Sequence, residues 1–234
     1  MRNEFGTYAG AYSATGARVT TRADFIMRTY NHVFGAILAF VGIQIVLFQT
    51  GMAETIAAAM LSVSWLWILG AFVLVGWLAT HTAMRTESLP AQYGALALYV
   101  VAQAFIFVPM LYIANAYAPG AITSAAWVTL AGFTGLTAVA WFSRKDFSFL
   151  GALLRWGMVG ALLLIVFGAI FGMQLGTWFS VGMVFLAGAA VLYDTSNILR
   201  HYPEDRYVAA ALALFASIAM MFWYVLRLIM AARR

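Results

Sequence analysis

Hydrophobic residues in this chain come in long unbroken runs rather than in the alternation of a half-buried strand or the one-sided stripe of a surface helix. About 20 consecutive apolar residues are needed to cross a bilayer's hydrocarbon core as a helix. Seven stretches reach that length, at about 29–49, 61–83, 92–115, 122–142, 148–171, 175–199 and 207–230. Short polar connections separate them and leave no room for an independent soluble module. The pattern predicts an all-α, polytopic membrane protein: one seven-helix domain over residues 29–234, preceded by a flexible tail over residues 1–28. That tail, rich in Gly, Ala, Ser and Thr, lacks the short apolar core and cleavage site of a signal peptide. No internal repeat of the inverted-transporter kind stands out.

Composition agrees with the pattern. Sixty-five per cent of residues are hydrophobic and 9% charged, against about a quarter charged in soluble domains, and the mean hydropathy is +0.91. The basic pI of 9.7 does not point to nucleic acid, because the basic residues flank membrane segments instead of forming an aromatic-interleaved patch. Their distribution predicts orientation, since cytoplasmic connections are enriched in Lys and Arg. Arg2, Arg18, Arg22 and Arg28 precede the first segment; Arg85, Arg144, Lys145, Arg200 and Arg206 lie in the even-to-odd connections. The loops near 50–60, 116–121 and 172–174 hold none. The amino terminus is therefore expected in the cytoplasm, with bacterial plasma membrane as the expected location. Arg227, Arg233 and Arg234 run against this count, yet the last segment is long enough to span and is expected to do so. Without cysteine there is no disulfide, thiolate metal site or cysteine nucleophile.

Ionisable residues at membrane depth are costly and mark function by default. In VLYDTSNILR, residues 191–200, Asp194 lies about 8 Å inside the end of the sixth segment at 1.5 Å per residue. His32, His81, Arg85 and Arg155 fall at similar depth, so the expected site is a carboxylate among cations, each offsetting the other's desolvation. The bland readings are a locally hydrogen-bonded aspartate, interfacial histidines, and an Arg155 that reaches the surface along its apolar stem. The tip of the last hairpin lies near Pro203 to Asp205. Asp194 and Ser217 are equidistant from it and are expected to face one another.

Three stretches carry a family likeness: FSRKDFSFLGALL at 142–154, VLYDTSNILR, and ALALFASIAMMFWYVLRLI at 211–229. In this order and spacing the chain resembles the Bax inhibitor-1 family of multispanning membrane proteins, from about Asp24 onward. The resemblance implies a seven-helix bundle with the last helix central, and a pH-sensitive calcium leak tied to membrane stress and cell-death suppression. It implies that a pair of aspartates, one in each of the last two helices, senses pH. The first matches Asp194, a transient calcium ligand on this reading. The second is replaced by Ser217, within Phe215, Ala216, Ser217, and a nearby family asparagine by Met220. The arginine that can bind the aspartates has Arg85 as its nearest counterpart, with His81 one turn before it.

One carboxylate beside a hydroxyl lacks the repulsion that makes two carboxylates share a proton, so the expected leak is weakened or differently gated. Its expected partners are the bilayer, calcium ions and protons, with no resident cofactor. The alternative is a non-conducting stress or quality-control protein that binds membrane-protein partners. An enzyme is not expected: a zinc hydrolase needs three converging ligands, and no two histidines share helix-face spacing. A retinal protein needs a lysine in its last helix, whereas Lys145 lies in a connection.

Overall fold

A computed structural model describes residues 5–143, 145–173 and 175–233, with side chains from residue 21 onward. Arg2, Arg144, Arg234 and the side chain of Arg18, all used in the orientation count, lie outside what is described. The described residues form eight helices: α1 Phe5–Gln49, α2 Met52–Leu61, α3 Trp65–Arg85, α4 Leu89–Tyr117, α5 Ala121–Phe142, α6 Leu150–Phe171, α7 Thr177–Arg200 and α8 Tyr207–Ala232. Seven are long and apolar enough to cross a membrane, and none of the described residues is in a strand.

Two features depart from the hydropathy reading. Helix α1 runs unbroken through the expected boundary at residue 29, and Phe25, Thr29, Val33 and Ala36 recur on one helical face and are buried against the bundle. The stretch near 50–60 is not a loop. Gly51, in the left-handed conformation at φ 76°, turns the chain into α2, whose Ala53 and Ala57 pack with Leu47 and Val108. A residue with a side chain is strained at such a φ, which is why glycine stands there.

Helix α8 is the hub. It packs against α1, α3, α4, α5 and α7, and 72% of its most apolar window is buried, against 11% for α3. Since lipid is as apolar as leucine, helices in a bilayer associate through close packing of small residues and shape fit. Ala209, Ala210, Ala211 and Ala219 of α8 and Ala187 of α7 are buried in that way. Farther along, Phe107 meets Trp223 edge-on at 4.8 Å, and Tyr99 meets Phe215 at 6.2 Å, the geometry aromatic quadrupoles prefer. On α6, a Cβ at Gly151 would fall 2.9 Å from the Tyr193 ring and one at Gly157 2.7 Å from Leu186, so these glycines let α6 lie close on α7.

The two ends of the bundle are distinguished by their contacts. At the near end Arg206, beside the start of α8, donates to the Thr86 carbonyl after α3, and His201 pairs with Asp146 of the α5–α6 connection at 3.3 Å. At the far end Arg227 of α8 donates to the Leu175 carbonyl at 2.8 Å, and Arg233 to the Pro119 carbonyl. Helix α8 therefore runs the full height of the bundle and does not re-enter.

Candidate functional site

Asp194 projects from α7 toward α8, where Ser217 stands opposite. The Ser217 hydroxyl donates to Asp194 Oδ2 at 2.6 Å. Both residues are buried, with 8% and 7% of their surface exposed. This contact follows from the hairpin: α7 and α8 leave a short connection antiparallel, so residues equally far from its tip meet. The adjoining Thr195 and Ser196 are fully buried. The Ser196 hydroxyl accepts from the Phe147 N–H at 3.0 Å, whereas the Thr195 hydroxyl has no hydrogen-bond partner among the described residues.

The near end above this pair is closed by residues that hydropathy does not single out. Arg22 of α1 spreads its guanidinium over the carboxyl end of α7, donating to the carbonyls of Ile198, Leu199 and Tyr202 at 2.6, 3.3 and 2.5 Å. The last carbonyls of a helix have no partner within it and carry the negative end of its dipole, so a cation there meets both needs. Tyr202, in the α7–α8 connection, lies close enough to feel the Asp194 carboxylate. Its hydroxyl pKa is pushed up, by burial first and by that charge second. The sequence held one signal for Arg22: it shares its helical face with buried Phe25, Thr29 and Val33.

The cations expected around Asp194 lie elsewhere. His81 is exposed and stacks on Trp77 at 5.2 Å. Arg85 is exposed in the last turn of α3, and Arg155 is exposed and bonds back to the Gly151 carbonyl at 3.2 Å. Neither ion pair among the described residues includes Asp194; these are His201–Asp146 and Arg206–Asp205. Depth along the bundle does not fix helix rotation, and residues at one level can face outward.

His32 belongs to a separate cluster. Its Nδ1 lies 2.6 Å from the Arg28 carbonyl and its Nε2 3.1 Å from the Tyr93 hydroxyl, which in turn lies 3.2 Å from the Tyr207 hydroxyl. A carbonyl only accepts, so Nδ1–H donates to it; in the neutral ring Nε2 then accepts from Tyr93. This chain ties α1, α4 and α8 together at the near end.

The described residues include no group of three or more His, Cys, Asp or Glu placed to hold a metal ion. Residues 22–234 match the family described as inhibitor of apoptosis-promoting Bax1. The chain belongs to the Bax inhibitor-1 family. It is an integral membrane protein of that family, and the match opens at Arg22, the residue that caps α7. A relative, uncharacterized protein PA2604 of Pseudomonas aeruginosa, is 39% identical over 104 residues, which cover 43% of this chain and 46% of that protein. The chain thus aligns with less than half of that relative.

Proposed function

We propose that this Bax inhibitor-1 family protein is a pH-sensitive cation leak whose permeant ion, calcium above all, meets Asp194 between α7 and α8. The observation that carries this reading is the buried carboxylate held by a single hydroxyl, Ser217 Oγ, at 2.6 Å. A charge at that depth, with no cation against it among the described ion pairs, has a cost that fold stability alone does not require. Calcium takes 6–8 oxygen ligands. Asp194 and Ser217 supply some of them, and water or backbone carbonyls must complete the shell in passing. With one carboxylate in place of two there is no shared proton, so the leak is weaker and its response to pH shallower than a paired site would give.

The proposed location is a bacterial plasma membrane with the amino terminus in the cytoplasm. Arg227 and Arg233, the residues against that orientation, are engaged with backbone carbonyls of the far-end connections, so packing accounts for their position.

Calcium entry into liposomes containing only this protein, followed across a pH series, tests the proposal. Wild type should leak, Asp194→Asn should lose most of the flux, and Ser217→Asp should steepen the pH response. Equal fluxes for wild type and Asp194→Asn would remove Asp194 from the pathway. No flux in any variant would favour the regulatory, non-conducting role.

A further inference from the structure

Between α1 and α4 a groove of about 460 Å³ opens sideways from the bundle. Its floor is apolar and small, with Gly35, Ala36 and Ala39 of α1 facing Leu96, Ala97 and Val101 of α4. It runs from Asn31 to Ile43, twelve residues of helix, or roughly 18 Å at 1.5 Å per residue. One leaflet of a bilayer has about 15 Å of hydrocarbon, half of the usual core. Length and polarity therefore match one acyl chain lying along the helix pair.

The near end of the groove is polar and basic. Asn31, His32 and Tyr93 line it, and Arg28 lies one turn before His32, its guanidinium 5.7 Å from the Tyr207 ring centre. Arg28 is exposed and is in neither described ion pair. Asp24, a further turn back in α1, is exposed. Arg22 is committed to the α7 carbonyls. Arg28 is thus the cation free to meet an anion at the groove's mouth, at the level where tyrosines mark a membrane interface. We propose that this groove binds one anionic phospholipid, its acyl chain along Gly35, Ala39 and Ile43 and its phosphate at Arg28 and Asn31. The lipid would fill the seam between the His32–Tyr93–Tyr207 chain at one end and, at the other, the buried Gln44 amide that donates to the Ala104 carbonyl at 2.7 Å.

Gly35 provides a clean probe, because a Cβ added there meets nothing within 4 Å. Gly35→Leu carries an apolar side chain into the groove from a Cβ position that is open, and replaces a poor helix former with a good one. Purified, delipidated protein is titrated with phosphatidylglycerol or phosphatidylcholine and bound lipid counted by native mass spectrometry, with thermal melting as the check on folding. Wild type should hold one phosphatidylglycerol about fivefold more tightly than phosphatidylcholine, the preference one basic residue gives near a charged surface. Arg28→Gln should erase the preference while still holding lipid, and Gly35→Leu should lose the bound lipid with its melt unchanged or raised. Equal binding of the two lipids by wild type, or an undiminished adduct in Gly35→Leu, would overturn the proposal.

Discussion

At the scale of single residues, the Asp194–Ser217 contact makes a measurable claim about coupling. Hydrogen bonds between membrane helices contribute about 1 kcal/mol, since the separated helices find other partners. Ser217→Ala should therefore lower stability by about that amount, measured as reversible unfolding in mild detergent. In Asp194→Asn the same change should cost less, because the charge that strengthens the bond is gone. Additive effects of the two substitutions would mean that the hydroxyl does not serve the carboxylate. Asp146, in the α5–α6 connection outside the spans, makes a claim about pH. Its carboxyl is held below the usual carboxylate range, first by the Ser148 backbone N–H and further by His201 and Arg200. A depressed folded value stabilises the docked connection above the unfolded pKa of about 4, and that contribution is lost as pH falls through the lower folded value. Amide protection at Phe147 and Ser148, corrected for intrinsic exchange, should drop on acidification in wild type and stay level in Asp146→Asn.

Among the helices, most of the legible information was periodicity, and most of the surprises came from ends. Long apolar runs announced seven spans. Their termini depend on groups that hydropathy scores as breaks: Arg22 falls in the expected tail because arginine is polar, although it shares the buried face of α1 and its head finds the carbonyls of α7. Charge-assisted hydrogen bonds are worth about 1.5–3 kcal/mol each before the cost of ordering the side chain. Arg22→Ala is expected to destabilise the fold by about 2 kcal/mol and to speed amide exchange in the last turn of α7, with Arg22→Lys recovering only part because a point charge cannot span three carbonyls. Unchanged exchange at Asn197 to Arg200 would show that the α7 end is held by other contacts. The expected ring of cations around Asp194 failed at this scale too. Equal depth does not set which way a helix is turned; in α3 and α6 the basic residues are exposed, whereas Ala79, Ala83 and Leu154 take the buried positions.

For the molecule as a whole, topology is the quantity most readily checked. The chain contains no cysteine, so single introduced thiols report without background. Glu54→Cys in α2 and Glu87→Cys after α3, both exposed, should react with a membrane-impermeant maleimide from opposite faces, Glu54→Cys in intact cells and Glu87→Cys only after the membrane is opened. Labelling of both from the same side would contradict the seven-span order. By itself the sequence determined the solvent: a chain with so few charges and such long apolar runs can bury its backbone polar groups in hydrocarbon only by coiling them into helices. It also determined the facing of Asp194 and Ser217, since a short hairpin between two helices leaves little freedom in which residues share a level. Only the tertiary structure decided which polar groups meet across distant segments. Arg22 on α7, His32 with two tyrosines, and the open groove between α1 and α4 all depend on how each helix is rotated about its axis, and rotation is set by the packing of side chains from several helices at once.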